Sequence, residues 1–143
     1  MSVTARVGLF IRGLYHLGRA LSVATVILLA ATTATGWAIG PSFDCDKVTT
    51  PLARFIGLQG KRLLPAKSGL VLMPNNSIHT FFMRIRIDAI FVSEEGTVIK
   101  VGRQLRPWRI GPIALGALYC VELPAGAATS TTTGQTIELQ ACA

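Results

Sequence analysis

With 143 residues the chain has room for one ordinary domain and not for two. Half of its residues are hydrophobic and 15% are charged, more apolar than a typical soluble domain, and its formal net charge is +7. Removing Arg6, Arg12 and Arg19 from the 14 basic residues leaves 11 against 7 acidic ones, a net of +4. That surplus favours anionic surfaces or small anionic ligands and falls short of the dense basic stripe of a nucleic-acid binder.

The three arginines and His16 precede an uncharged stretch, residues 20–39, which is followed by Asp44 and Asp46. A basic flank before twenty uncharged residues predicts an N-terminal helix that engages the membrane, with the rest of the chain exported into the cell envelope. Two readings compete. Trp37 at an interfacial position suits a retained transmembrane anchor, whereas an apolar run over 21–31 followed by threonines, Gly36 and Ala38 suits a cleaved signal peptide. The expected organisation is a signal peptide or anchor over 1–40, a linker over 41–49 and a β domain over 50–143. The linker's Pro41-Ser42-Phe43-Asp44-Cys45 also resembles the mature start of periplasmic lysozyme-inhibitor-type proteins, without their second nearby Cys.

Next comes Pro51, suited to the first turn of a short helix with Thr50 or Thr49 as its N-cap, carrying Leu52, Phe55 and Ile56 on one face and ending near Gly57 or Gly60. Leu70 to Met73 reads as a short buried strand halted by Pro74-Asn75-Asn76. Phe81 to Val92 is rich in β-branched and aromatic residues, with neither Gly nor Pro, and predicts the central strand. Its alternation would set Thr80, Phe82, Arg84, Arg86 and Asp88 on one face and Phe81, Met83, Ile85 and Ile87 on the other. Ser93-Glu94-Glu95-Gly96 predicts a hairpin into Thr97 to Val101. Residues 102–112 read as a basic loop or edge, because two prolines oppose a central strand. Ala117 to Leu123 then predicts a half-buried strand, and Gln135 to Leu139 the last one. The fold class is mainly β: a small barrel-like or sandwich domain with one short helix.

For chemistry, the best candidates are Arg84, Arg86, Arg106, Trp108 and Arg109, predicted to hold an anionic or carbohydrate-like ligand or an envelope protein partner. A guanidinium presents a planar fork of donors to carboxylate or phosphate, and an indole stacks on sugars. The competing reading pairs Arg84 or Arg86 with Asp88 or Glu122 and uses Trp108 to close a barrel end. His79 is the one catalytic candidate, as the centre of a hydrolase-like set with Ser77 and Asp88, but no nucleophile-elbow motif holds the serine; its competing role is a hydrogen bond to a turn carbonyl. A purely structural subunit of a membrane complex is a third possibility. Neither a metal nor another cofactor is implied, since Cys45, Cys120, Cys142 and His79 lack zinc-site spacing and no Gly-rich phosphate loop is present. In an oxidising compartment Cys45 and Cys142, at the two ends of the domain, would form a disulfide and leave Cys120 a buried thiol.

The ordered succession Ser77-Ile78-His79-Thr80, Phe82-Met83-Arg84, Ile87-Asp88, Phe91, Gly96, Leu105-Arg106-Pro107-Trp108-Arg109, Gly116-Ala117 and Glu122-Leu123-Pro124-Ala125-Gly126 resembles the bacterial and archaeal family called domain of unknown function 192. The likeness covers roughly Thr50 to Leu139. It implies a compact, mainly β domain of about a hundred residues with no established activity. Many proteins of this kind carry Cys where Asn75 stands, so a role for that thiol does not transfer to this chain.

Overall fold

The computed structural model describes residues 23–33 and 36–141, with side chains described over 43–139. Arg6, Arg12, His16, Arg19 and Cys142 lie outside the described residues. Among the described residues, nine strands and one short helix follow in chain order: β1 (Val23–Thr33), β2 (Gly36–Val48), α1 (Pro51–Ile56), β3 (Ser68–Leu72), β4 (Ser77–His79), β5 (Ile87–Val92), β6 (Val98–Leu105), β7 (Ile110–Ile113), β8 (Tyr119–Pro124) and β9 (Ile137–Ala141). Seven strands form a sheet in the order β6-β5-β8-β3-β2-β1-β9, and β4 pairs with β7 in a small separate sheet. Only β2 and β3 of the described pairs run parallel, which makes the large sheet mixed. Parallel neighbours need a crossover, and α1 sits in it.

Two expectations are corrected here. Within the stretch expected to form a transmembrane or signal helix, the described residues 23–33 and 36–40 are strand, with β1 paired to both β2 and β9. Val23, Thr25, Val26, Ile27, Thr32 and Thr33 explain the preference: β-branched side chains suit an extended backbone, and a short apolar run does not by its periodicity separate helix from strand. Among the described residues no helix is long and apolar enough to cross a membrane. The 41–49 stretch, read as a linker, lies almost wholly within β2, where Asp44 to Val48 pair with Ser68 to Leu72.

The sheet is also not a closed barrel. Its edge strands β6 and β9 meet at one isolated bridge, Thr97 to Thr136, flanked by bonds from Val98 N–H to the Gln135 carbonyl and from Ile137 N–H to the Gly96 carbonyl, both 2.8 Å. Beyond Val98 a loop, not a strand, covers the edge. The Arg103 guanidinium donates to the carbonyls of Ala128 and Thr131 and holds that loop in place.

Alternation along the strands splits the core in two. Val71, Met73, Ile90, Val92, Tyr119, Val121 and Leu123 face one side with Phe43, Val98 and Leu139; Leu70, Leu72, Ile87, Ala89, Phe91 and Cys120 face the other with Leu58, Ile78 and Met83. Both faces are therefore covered, which is why β5 and β8 are buried along almost their whole length and read as continuous apolar runs. The Ala117 to Leu123 strand was expected to be half-buried; its centre is fully inside because it lies between β5 and β3. At the β2–β3–β8 crossing, a side chain on Gly69 would meet Cys45 Sγ and the Glu122 carbonyl at 2.7 Å, so only glycine lets the strands approach.

Thr50 caps α1 as expected, accepting from the Ala53 N–H at 3.3 Å, with Pro51 in the first turn and Gly57 at the C-cap. Its apolar side chains differ from expectation: no residue of α1 is buried, and Leu52, Phe55 and Ile56 are all exposed. Leu58, just past the helix, is the residue that packs.

The central strand is shorter than the 81–92 run. Residues 80–86 turn and β5 begins at Ile87, because Phe82 adopts a left-handed backbone (φ 61°) that breaks the extended chain. Asp88, expected on a basic face, is instead buried, and its carboxylate accepts three backbone N–H groups: Gln104 at 2.8 Å, Gly126 at 2.9 Å and Ala128 at 2.8 Å. Gln104 has φ 53°, so one of these bonds offsets a strained residue on β6. Asp88→Ala would leave three donors near the core without an acceptor, and the expected loss is about 3 kcal/mol of stability, read from the urea midpoint at unchanged m-value.

Candidate functional site

The loop 106–109 joins the edge strand β6 to β7 and is held from beneath by Thr80. The Thr80 hydroxyl, wholly buried, donates to the Arg106 carbonyl (2.7 Å) and accepts from the Arg109 N–H (2.9 Å). The Thr80 backbone adds two bonds, its N–H to the Arg109 carbonyl (2.9 Å) and its carbonyl from the Trp108 N–H (2.8 Å). Four contacts through one residue fix Arg106, Trp108 and Arg109 of the loop. They hold Trp108 at φ 60°, a conformation that costs a bulky residue on the order of 1–3 kcal/mol.

Trp108 is 54% exposed and Phe82 56% exposed, and their rings meet edge to face with centroids 4.8 Å apart. Phe81 lies against Trp108 at 6.4 Å and against His79 at 5.5 Å, and His79 contacts Phe55 at 5.2 Å. These contacts make a continuous aromatic ridge from α1 to the loop. Trp108 therefore does not close a barrel end. Of the predicted ligand-binding residues, the structure brings Arg106, Trp108 and Arg109 together through Thr80. Arg84 and Arg86 are exposed on the segment that follows Phe82, and what ties that segment to Trp108 is Phe81 and Phe82. The alternative pairing of an arginine with Asp88 does not hold, since backbone N–H groups occupy both of its oxygens.

The Ser77, His79 and Asp88 set is not assembled either. Asp88 shares its β5 parity with Ile90 and Val92 in the first core, whereas Ser77 and His79 line a cavity on the opposite face of the sheet. His79 makes ring contacts in place of the expected carbonyl bond, and its Nδ1 is buried with no hydrogen-bond partner. Among the described residues no group of His, Cys, Asp and Glu could hold a metal ion. Cys45 and Cys120 are both buried thiols without a disulfide, and the predicted partner of Cys45 lies outside the described residues. Burial, with Asp44 and Asp46 adding to it, pushes the Cys45 thiol up to about 12; burial and the Glu122 charge push Cys120 up as well. Both shifts disfavour the thiolate, which is the nucleophilic form.

The cavity beside α1, about 260 Å³, was not foreseen. Phe55, Leu58, Leu72, Ile78 and Met83 supply its apolar walls, and Arg54, His79 and Glu122 bring polar groups to it. Glu122 is 3% exposed on β8, and its Oε2 has no hydrogen-bond partner. Its signature in the sequence was an acid on the same strand face as Cys120, which is innocuous on a half-buried strand and unusual on a buried one.

The architecture is a small mixed β-sheet domain with one short helix, an exposed aromatic ridge and a cavity beside the helix. The chain belongs to the domain of unknown function 192 family (DUF192, uncharacterized ACR), whose model matches residues 32–139. It is 48% identical over 52 residues to a UPF0127 protein of Pyrococcus abyssi, covering 36% of this chain and 44% of that one. A UPF0127 protein of Thermococcus sibiricus is 41% identical over 64 residues, 45% of this chain and 38% of that one. The matches thus span less than half the length of these curated relatives. Two crystal structures share the fold: a Novosphingobium aromaticivorans protein of unknown function (TM-score 0.69, 20% identity, 85% of this chain and 88% of that one) and a Sinorhizobium meliloti protein described as a proposed transcription regulator (TM-score 0.70, 18% identity, 85% and 98%).

Two predictions rest on these buried polar groups. Burial pushes the Glu122 carboxyl up from its usual 4.5 to about 7, so between those pH values the folded protein holds a proton that the unfolded chain has released. Its contribution to stability is full below about pH 4.5 and is lost as the pH rises through about 7, by something on the order of 3 kcal/mol. Denaturant titrations across this range should show that fall, and Glu122→Gln should remove it. Thr80→Val keeps the shape and deletes the hydroxyl; the expected cost is about 1–3 kcal/mol, together with faster tryptic cleavage after Arg109 as the loop loosens.

Proposed function

We propose that this domain is a non-enzymatic binding module that takes an acidic, carbohydrate-like ligand on the ridge formed by Phe81, Phe82 and Trp108, with Arg106 and Arg109 beside it and Arg84 and Arg86 at its flank. The observation that carries the reading is the conformation of Trp108. A large aromatic residue is held in a strained backbone geometry by a buried hydroxyl, yet more than half of its surface stays in water. Such an arrangement adds little to the core and presents a ring. Aromatic edges and faces pack on the apolar patches of sugars, and guanidinium groups on the same loop supply donors for carboxylates.

The reading is tested by thermal denaturation of the full chain with a hexamer of polygalacturonate, and with cellohexaose as the neutral control. The acidic hexamer should raise the melting temperature in a saturable, salt-sensitive way, corresponding to about 2.7 kcal/mol at a hundredfold excess over its dissociation constant. Trp108→Ala or Arg109→Ala should abolish the shift. Equal shifts with both sugars, or none with either, would sink the acidic-glycan reading.

A further inference from the structure

We propose that the cavity beside α1 is a second binding site, for a small zwitterion with a short aliphatic body, its ammonium held by Glu122 and its carboxylate by Arg54 and His79. Three elements of different parts of the chain bring polar atoms here: Arg54 from α1, His79 from β4 and Glu122 from β8. In each of them one buried atom lacks a hydrogen-bond partner, namely Arg54 Nε, His79 Nδ1 and Glu122 Oε2. Buried polar atoms are almost always paired, so three orphans around one cavity describe the outline of a missing partner.

The chemistry of that partner follows from the atoms. Glu122 Oε2 is an acceptor, and the Arg54 carbonyl is a second one nearby: the two lie 3.7 and 3.6 Å from the point where a Cβ on Gly57 would stand. Gly57 has none, so the space between the acceptors stays open for a donor such as an ammonium. The Arg54 Nε–H is a donor with a fixed direction, because its Nη1 is already bound to the Pro74 carbonyl. His79 Nδ1 donates when it bears the ring proton. An acceptor site and a donor site in one cavity match a molecule carrying both charges. Leu58, Leu72, Ile78 and Met83 leave an apolar wall for its body. The volume lies just under the usual range for ligand pockets, about 300 Å³ upward, which restricts the body to a short aliphatic chain. Burial by itself raises Glu122, and an ammonium against Oε2 would restore its charge.

The test is calorimetric titration of the full chain with three probes of one shape: L-leucine, which is zwitterionic, 3-methylbutylamine, which has only the ammonium, and 4-methylpentanoate, which has only the carboxylate. L-leucine should bind saturably and more tightly than either half-probe. Glu122→Gln should weaken L-leucine roughly ten- to hundredfold and remove binding of the amine. Arg54→Gln, on a partly exposed helix where folding is not at stake, should weaken L-leucine and the pentanoate and leave the amine's affinity unchanged. Saturable binding of none of the three probes would overturn the proposal, as would L-leucine affinity unaltered in Arg54→Gln. Tightest binding by the pentanoate would also overturn it.

Discussion

The carboxylate of Asp88 ties together parts of the chain that have no other reason to meet. It sits on β5, next to the edge strand, and accepts from Gln104 on β6 and from Gly126 and Ala128 in the loop after β8. A carboxylate with several backbone N–H partners is stable in a dry interior because each donor compensates part of its desolvation. The loop it gathers is the one whose carbonyls take the Arg103 guanidinium, so one buried anion and one cation together cover the edge of β6 with irregular chain. With that edge covered, the sheet stops short of closing on β9.

Thr80 works in the same way on the other side of the molecule. Asp88 is an anion that organises N–H groups; Thr80 is a neutral hydroxyl that both donates and accepts, and so can bridge two residues of one loop. The loop it holds carries Trp108, and the residues after it carry Phe82. Two left-handed aromatic residues, brought into edge-to-face contact, are the geometric result. Neither side chain is needed to fill a core. The strain at these positions and the exposure of the rings are what the proposed surface recognition rests on, and the unpaired atoms of the neighbouring cavity are what the proposed second site rests on.

Local chemistry in the chain was a sound guide wherever a residue acts on its immediate neighbours. Thr50 and Pro51 start the helix, Gly57 ends it, and Ser93 to Gly96 turns β5 back into β6. The parity of β3, β5 and β8 was also legible, since Leu70 and Leu72, Ile87 and Ala89, and Cys120 do share one face. What the parity did not say is whether the second face meets water. Covering it is the work of the crossover, Leu58 and the β4–β7 pair, all contributed from distant sequence. Hence the strand that looked half-buried lies inside, and the acid on it, Glu122, became an unpartnered group within a cavity.

The long uncharged stretch shows the same division from the other direction. Its apolar, β-branched composition is compatible with a membrane helix or with a strand, and the choice falls to pairing: β1 finds β2 on one side and β9, over a hundred residues later, on the other. By itself the sequence determined the family, the mainly β class, the caps and turns, and the arginine and tryptophan content of the 106–109 loop, because these depend on residue type and near neighbours. The tertiary structure alone decided that Asp88 and Thr80 are clamps, that the sheet stays open, and that Arg54, His79 and Glu122 share a cavity. Each of those outcomes depends on contacts between residues far apart in the chain, and their energies arise from burial that only the assembled sheet creates.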